Sequence, residues 1–324
     1  MRYFGGDTTL FLRGRFRAAS TGINGGLSNV TTILNHTVPH DFKDDPPRYL
    51  DQLVARHGFF RDYFGLITAV DMRHLCILQY DFITVFITAG VTNPTGAATA
   101  PRTINIIVHS REGMTDAALL EAIVTATGAK AQALHTLGYD FPGTTTDAVV
   151  VACERDAPAS HLRCSCSGPA ALRTSHLRCS NSVLSGHRPV HTYAGPLTEV
   201  GRRVHAAVLH GLPEALARQQ GKVRRSDPSF FIYSRYGGEH WVEWQKEGCP
   251  YYPCHFPGQR CDYCYCPCYP CVDEELGEWV ESSNGGRVWA CTGCTLLHVP
   301  EIADYVKRNP EATLVELKRL RDRV

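Results

Sequence analysis

The sequence predicts an α/β fold: a mixed domain of layered sheet and helices, followed by a second, small cysteine-rich metal-binding domain. Short β-like runs and a few helical patterns alternate through the N-terminal part of the chain. Of the 14 cysteines, nine lie between Cys249 and Cys294. The chain has 324 residues, 44% of them hydrophobic, which is enough for two domains and at least one sizeable core.

Composition and charge exclude several functional classes. The formal net charge of +1 argues against a protein that binds nucleic acid with its whole surface. No stretch approaches the roughly 18–20 apolar residues that span a bilayer, and the N-terminus lacks the apolar run of a secretory signal. We therefore expect a soluble, cytoplasmic protein without a membrane span.

The N-terminal domain is predicted to cover residues 1–212. Alternating or continuously apolar runs predict strands at TLFLRGRF (9–16), GLITAVD (65–71), HLCILQY (74–80), ITVFITAGV (83–91), TINIIVHS (103–110) and TDAVVVACE (146–154). Helices are predicted at 46–58, 115–138 and 197–212. The longest of them has Thr115 or Asp116 as its N-terminal cap and Gly138 at its end.

The remaining segments are assigned by composition. The motif Ser-His-Leu-Arg-Cys occurs at residues 160–164 and again at 175–179, so residues 157–191 are interpreted as an exposed, flexible insertion. Its cysteines and histidines leave metal binding open as an alternative. Residues 213–229 are expected to form a linker, and residues 230–324 the cysteine-rich domain with a basic C-terminal helix.

The cysteine-rich segment predicts metal binding, because reduced cysteines clustered in a cytosolic protein commonly bind metal. Cys261-x-x-Cys264 and Cys291-x-x-Cys294 have the spacing of tetrahedral zinc ligands. The candidate ligands, sufficient for two sites and with Cys268 as an extra, are Cys249, Cys254, His255, Cys261, Cys264, Cys266, Cys271, Cys291, Cys294 and His298. Structural zinc is the favoured interpretation. An iron–sulfur cluster, metal sensing and corrinoid handling remain alternatives.

Several motifs resemble a known family. In order they are INGGLSN (23–29), VPHDF (38–42), GLITAVDM (65–72), TAGVTNP (88–94), TINIIV (103–108), AIVTATGAKAQAL (122–134), GTTTDAVVVAC (143–153) and YAGPLTEVGR (193–202). With them the N-terminal domain resembles the adenosylcobinamide amidohydrolases, the CbiZ family of corrinoid salvage. The cysteine pattern of residues 249–300 resembles a cysteine-rich small domain that is fused to some members.

This resemblance implies an enzyme that hydrolyses the amide between the aminopropanol arm and the corrin ring of adenosylcobinamide, giving adenosylcobyric acid. Cobalt would then enter only as part of the corrinoid substrate, and no protein partner of the cysteine-rich domain is identified. Two alternatives remain: a non-catalytic corrinoid-binding protein and a metal-dependent interaction protein. The sequence departs from the family pattern at Gly128 and Thr145. A glycine inside a helix weakens it by about 1 kcal/mol relative to alanine, and Thr145 would be strained if its position required a positive φ.

Amide hydrolysis needs an activated water or nucleophile, donors to the developing oxyanion and an acid for the leaving amine. The candidate catalytic residues are His40, Asp71, Lys130 and Asp147. His40 is a candidate acid or base near neutral pH. Lys130 stands among small alanines, which leave its ammonium room to reach a substrate amide or an acid. The structural alternatives are a surface histidine, a turn-forming aspartate and a lysine at the helix edge.

Neutral polar residues suit a corrinoid whose rim carries amides. The candidate substrate-binding residues are Asn24, Asn93, Asn105, Thr144, Thr146, Thr198 and Glu199. Asn105 interrupts an apolar strand and must find hydrogen-bond partners, so it is either a structural residue or a substrate contact. Thr198 and Glu199 begin a predicted helix, where free N–H groups favour an anion or carbonyl, or where they simply cap the helix. Cys76 and Cys153 are expected to be buried core residues rather than nucleophiles.

Overall fold

The computed structural model has the mixed α/β architecture that the sequence predicts. Its described residues are 2–5, 8–91, 103–154, 189–223, 228–234, 238–243, 252–261, 263, 266, 268, 271–281, 287–309 and 312–323. Most of the predicted insertion at 157–191 therefore lies outside the described residues, as do its candidate metal ligands.

Ten strands of the described residues form one mixed sheet. They are β1 (Arg2–Gly5), β2 (Thr9–Ser20), β3 (Gly26–Thr37), β4 (Tyr63–Thr68), β5 (Cys76–Tyr80), β6 (Ile83–Gly90), β7 (Thr103–Ser110), β9 (Ala148–Glu154), β11 (Ser229–Ser234) and β12 (His240–Glu243). Their order in space is β12-β11-β5-β6-β7-β9-β2-β3-β4, and β1 pairs with β2. The pairs β3–β4, β7–β9 and β5–β11 are parallel. A separate parallel pair joins β8 (Gly113–Met114) to β10 (Val190–His191).

The large sheet curls, so that strands which are not neighbours in it meet across its inner face. Asn35 of β3 donates a hydrogen bond to Thr88 of β6, and Asn105 of β7 donates one to the main-chain carbonyl of Ile67 in β4. Around these contacts the inner face is filled by buried apolar side chains, which include Leu12, Phe64, Leu66, Phe86, Ile107 and Val150. The curl therefore brings polar residues from both halves of the sheet together inside an apolar core.

Three helices cover the outer face. Helix α1 (Pro46–Arg56) packs Leu50 and Val54 against β2, β3 and β4. Helices α2 (Asp116–Thr136) and α3 (Glu199–Gln219) pack against the outer faces of β5, β6, β7 and β9. The predicted ends of the long helix are confirmed: Thr115 accepts the N–H of Ala118 at 3.2 Å, and Gly138 has a φ of +84°.

Residues 213–243 continue the N-terminal fold, although the sequence analysis assigned them to a linker and the second domain. Helix α3 runs on to Gln219, and β11 pairs with β5 at the edge of the large sheet. Arg218, only 1% exposed, donates hydrogen bonds to the hydroxyl of Ser229 at 2.5 Å and to the carbonyl of Arg73 at 2.6 Å. The Ser229 hydroxyl in turn donates to Glu243 at 2.7 Å. These contacts tie β11 and β12 to the helical layer.

The cysteine-rich part has a small core of its own. It contains the hairpin β13 (Glu278–Glu281) and β14 (Arg287–Ala290), followed by helices α4 (Pro300–Arg308) and α5 (Leu314–Arg321). Buried apolar side chains of α4, α5 and the segments that precede the hairpin and α4 pack together, among them Leu276, Leu296, Leu297, Ile302 and Leu317. In the described parts of the chain, no helix is long and apolar enough to cross a bilayer.

Candidate functional site

Lys130 and Asp147 form a buried ion pair at the N-terminal end of β9. Their Nζ and Oδ2 atoms are 2.5 Å apart, and the two side chains are 8% and 7% exposed. Lys130 comes from the middle of α2, and Asp147 from the turn GTTTD that leads into β9. Lys130 is therefore a buried lysine with a carboxylate partner and does not lie at an exposed helix edge.

The carboxylate of Asp147 is saturated with donors. Its Oδ1 accepts from the N–H of Ile104 at 2.8 Å and from the hydroxyl of Thr144 at 2.5 Å. Its Oδ2 accepts from the N–H of Thr144 at 2.9 Å and from Lys130. A carboxylate offers about four acceptor positions, so Asp147 has none left to take a proton from water. Its geometry is that of a residue that positions Lys130 and the turn.

The turn that holds Asp147 is closely fitted. A Cβ atom on Gly143 would collide with the carboxylate of Asp147 and the ammonium of Lys130. Thr145 does not have a positive φ, so the strain that its departure from the family pattern suggested is absent. The exposed Thr146 shares a hydrogen bond with the hydroxyl of Thr103 at 2.7 Å, which links the turn to the start of β7.

A second polar cluster lies beside this turn, on the inner face of the sheet. Asn105 donates through Nδ2 to Oδ1 of Asn35 at 2.9 Å and to the carbonyl of Ile67 at 3.1 Å. Asn35 donates to the hydroxyl of Thr88 at 2.9 Å. Asn105 is 1% exposed, and its own Oδ1 is buried without a hydrogen-bond partner. Buried polar atoms of this kind are uncommon, and each needs a specific explanation.

His40 and Asp71 follow the C-terminal ends of two neighbouring parallel strands, β3 and β4. His40 is exposed in a turn. Asp71 pairs with Arg73 at 2.8 Å, and hydrogen bonds from Arg73 lower the pKa of its carboxyl. No hydrogen bond or ion pair of the described residues joins either side chain to Lys130 or Asp147.

Four other predicted substrate-binding residues lie away from the ion pair or outside the described residues. Asn24 is exposed, with a φ of +58°, and its side chain hydrogen-bonds the Tyr63 hydroxyl on the side of α1. Thr198 caps α3 by accepting the N–H of Gly201 at 3.0 Å, and Glu199 pairs with Arg203 at 3.1 Å. Asn93 lies outside the described residues.

The position of α3 explains why its start does not reach the ion pair. Arg203 contacts Asp81, in the turn between β5 and β6, at 2.7 Å. That turn lies beside the C-terminal end of β7, because Ile83 is the partner of Ser110. Asp147 directly precedes Ala148, the partner of Asn105 near the N-terminal end of β7. Thr198 and Glu199 therefore belong to the opposite end of the sheet.

The structure also brings in residues that the sequence analysis did not select. Asn35 accepts a hydrogen bond from the predicted Asn105, and Thr103 shares one with the predicted Thr146. Thr88 accepts a hydrogen bond from Asn35. Asn35 follows the apolar Ile33 and Leu34, but the other polar residues of β3, such as Thr32 and His36, make this signal weaker than that of Asn105. Thr88 and Thr103 are ordinary strand residues by composition, so only the pairing of strands reveals them.

In the cysteine-rich part, one group of candidate ligands gathers around a buried glutamine. Gln259 donates through Nε2 to Cys254 Sγ at 3.1 Å and to Cys261 Sγ at 3.4 Å. The rings of His255 and His298 lie 4.5 Å apart, and His298 shares a hydrogen bond with the carbonyl of Arg260 at 2.7 Å. Two thiols and two imidazoles thus lie in one small region.

A second group contains Cys266, Cys268, Cys271, Cys291 and Cys294. The pKa of Cys266 is raised by its hydrogen bond with Cys268 and by burial, and burial raises the pKa of Cys294, with further contributions from Cys271 and Cys268. No three acidic, histidine or cysteine side chains of the described residues are close enough to hold a metal ion. Cys249 and Cys264 lie outside the described residues.

Comparison with known proteins supports the predicted family. A sequence model of the adenosylcobinamide amidohydrolases matches residues 9–170, and one described as a cysteine-rich small domain matches residues 240–321. An adenosylcobinamide amidohydrolase of Methanosarcina mazei is 39% identical over 217 residues, which cover 67% of this chain and 98% of that protein. Another, from Halobacterium salinarum, is 35% identical over 155 residues, 43% of this chain and 66% of that protein.

A relative with a different name matches only a short segment. A probable cobalt-factor III C(17)-methyltransferase of Methanothermobacter thermautotrophicus is 44% identical over 64 residues, which are 19% of this chain and 17% of that protein. No solved structure gives a significant match. The family match over residues 9–170 and the nearly complete coverage of the Methanosarcina relative agree with the order of motifs in the sequence. The chain therefore belongs to the adenosylcobinamide amidohydrolase family.

Proposed function

We propose that this enzyme hydrolyses the amide that joins the aminopropanol arm to the corrin ring of adenosylcobinamide. Water adds to the carbonyl carbon, the C–N bond breaks, and the products are adenosylcobyric acid and the free amine, which takes up a proton. The observation that carries the proposal is the 39% identity to an adenosylcobinamide amidohydrolase over 98% of that protein's length. The product allows the nucleotide loop to be attached anew, as corrinoid salvage requires.

The geometry suggests a role for Lys130 in this reaction. An ammonium group has three N–H donors, and the hydrogen bond to Asp147 engages one of them. We assign Lys130 as the donor to the carbonyl oxygen of the scissile amide, where negative charge develops as water adds. Asp147 holds Lys130 in place and, through its bonds to Thr144 and Ile104, fixes the turn beside β7.

The proposal is tested by incubating the purified full-length protein with adenosylcobinamide and identifying products by chromatography and mass. Lys130→Met keeps the apolar stem and removes the ammonium, so we expect a loss of about 100-fold or more in kcat. Thr125→Val is a matched control, because Thr125 is another buried α2 side chain whose hydroxyl donates to Ala194, away from the ion pair. Wild-type protein that binds the corrinoid without cleaving it would instead indicate a binding protein.

His40 and Asp71 remain candidates for activating the water. His40 and Asp71 lie just after the ends of β3 and β4. Ile67 of β4 is four residues before Asp71, and its carbonyl accepts a hydrogen bond from Asn105. Separate His40→Ala and Asp71→Asn variants distinguish this role from a surface role. A catalytic base lost by substitution lowers kcat about 100-fold or more, whereas an exposed surface residue leaves kcat unchanged.

For the cysteine-rich domain we propose structural zinc, held separately by the two groups of ligands. The donor types are suitable, since thiolates and imidazoles are the usual ligands of tetrahedral zinc. No three of the described side chains already converge on one point, so zinc binding would have to draw the members of each group together. One group contains Cys254, His255, Cys261 and His298, and the other draws on Cys266, Cys268, Cys271, Cys291 and Cys294. Elemental analysis is expected to find zinc, up to two per chain, and Cys291→Ser to remove only one equivalent. A protein free of zinc, or one containing iron and sulfide, would contradict this proposal.

A further inference from the structure

The amide group of Asn105 has a fixed orientation. Its Nδ2 donates both to Asn35 Oδ1 and to the carbonyl of Ile67, and a main-chain carbonyl can only accept. Rotating the amide by half a turn would place its oxygen against these two acceptors. The atom without a partner is therefore Oδ1, an acceptor that calls for an N–H or O–H donor.

Polar groups lead from the surface to this acceptor. Thr146 is exposed and shares a hydrogen bond with Thr103, which is 7% exposed. Thr103 and Asn105 are two residues apart in β7, so both face the inside of the curled sheet, roughly 7 Å from one another. Thr146, Thr103 and Asn105 thus form a polar row from the solvent to the buried acceptor.

Small residues flank this row on the neighbouring strands. Gly90 of β6 is the partner of Thr103 and has no side chain. Ala148 of β9 is the partner of Asn105, and its side chain is only a methyl group. The row ends in the acceptor Oδ1 of Asn105. When the Thr146 hydroxyl donates its hydrogen bond to Thr103, the Thr103 hydroxyl is able to donate to a ligand. A primary carboxamide matches this arrangement, because its carbonyl oxygen can accept a hydrogen bond and its N–H can donate one.

We propose that the polar row of Thr146, Thr103 and Asn105 is a binding slot for one neutral primary carboxamide arm of the corrinoid, a different arm from the one that is cleaved. The arm's N–H donates to Asn105 Oδ1, and its carbonyl accepts from the Thr103 hydroxyl. A carboxylate arm has no N–H and would set a negative charge against Asn105 Oδ1, so the slot selects amides over acids. The assignment rests on the proposed function for the identity of the ligand class.

The test measures the Kd of adenosylcobinamide by calorimetry for wild type, Asn105→Ala and Thr103→Val, with Thr125→Val as the control. We expect the first two variants to weaken binding about 5- to 100-fold, the value of one or two buried hydrogen bonds. Thr103→Val leaves every hydrogen bond of Asn105 intact, so it keeps the test valid if Asn105→Ala does not fold. The control is expected to bind like the wild type.

A second series of ligands identifies the arm. Adenosylcobinamide derivatives in which one carboxamide has been hydrolysed to a carboxylate are compared in turn with adenosylcobinamide itself. One derivative is expected to bind the wild type more weakly than adenosylcobinamide does. In Asn105→Ala, that derivative and adenosylcobinamide are expected to bind with the same Kd. The slot would be overturned if both variants bound adenosylcobinamide as tightly as the wild type does and if the wild type bound every derivative equally well. This holds even if the enzyme cleaves its substrate. Weakened variants without any adenosylcobyric acid from wild type would leave the slot standing and refute the proposed function. A wild type that binds no corrinoid would overturn both.

Discussion

Ending the chain at residue 228 is expected to unfold the N-terminal domain, whereas ending it at residue 243 is not. The shorter chain lacks β11 and β12, which form one edge of the large sheet. It exposes the surface against which Phe231, 4% exposed, is packed. It also removes Ser229, to which the buried guanidinium of Arg218 donates, and Glu243, which accepts from Ser229.

The magnitude follows from these two losses. Burial of a phenylalanine side chain contributes about 1.5–3 kcal/mol, and a hydrogen bond to a charged group about 1.5–3 kcal/mol. Together they amount to about 3–6 kcal/mol, and the lost pairing of β11 with β5 adds to this loss. The typical total stability of a domain is about 5–15 kcal/mol, so the free energy of unfolding of the 1–228 chain should fall towards zero.

Urea unfolding followed by far-ultraviolet circular dichroism measures this difference between the 1–228 and 1–243 chains. In the full-length protein, Ser229→Ala isolates the Arg218 contribution and should lower the free energy of unfolding by about 1–3 kcal/mol. Equal stability of the two truncated chains would refute the assignment of β11 and β12 to the N-terminal domain.

Three further substitutions test single features. Gly128→Ala should raise the free energy of unfolding by about 1 kcal/mol, because Gly128 lies within α2 and a Cβ there meets nothing within 4 Å; a loss of stability in urea unfolding would contradict the open space. Gly143→Ala should lower kcat on adenosylcobinamide at least 10-fold, because its Cβ displaces Lys130 and Asp147; unchanged kcat would show that their geometry does not matter. Burial lowers the pKa of His36, which is 5% exposed and hydrogen-bonded to Thr9 and Tyr49. In the unfolded chain the imidazole has its ordinary pKa of about 6.5, so below that pH the unfolded chain binds more protons than the folded one. The free energy of unfolding is therefore highest above pH 6.5 and falls as the pH drops towards the pKa of the folded state. His36→Gln should make this decrease shallower, and an equally steep decrease in the variant would contradict the prediction.

The sequence predicted the elements of this fold better than their arrangement. Helix α2 has a capping threonine and a terminal glycine, and β6, β7 and β9 are short runs rich in apolar residues, so these elements carry their own local signals. The curl of the sheet carries no such signal, because a strand's periodicity defines its two faces but not its distant partners. The contact of Asn35 with Thr88 and Asn105 could not be predicted for that reason.

In the candidate site, too, single residues could be predicted from the sequence, but their arrangement could not. Lys130, Thr144 and Asp147 were selected separately from their surroundings in the sequence, and the structure joins them in one network. Thr198 and Glu199 were selected because polar residues begin a helix, but the same pattern serves a simple cap, and α3 begins at the far end of the sheet. The stretch SFFIYS was divided between the predicted linker, which ends at Ser229, and the second domain, whereas its parallel pairing with β5 joins it to the large sheet.

The most direct test of the central claim is hydrolysis of adenosylcobinamide in water enriched in oxygen-18, with both products analysed by mass. Amide hydrolysis by added water predicts adenosylcobyric acid with a single oxygen-18 in its new carboxylate, unlabelled aminopropanol, and loss of this product in Lys130→Met but not in Thr125→Val. Corrinoid recovered unchanged from wild-type protein, or product formed equally well by Lys130→Met, would contradict it.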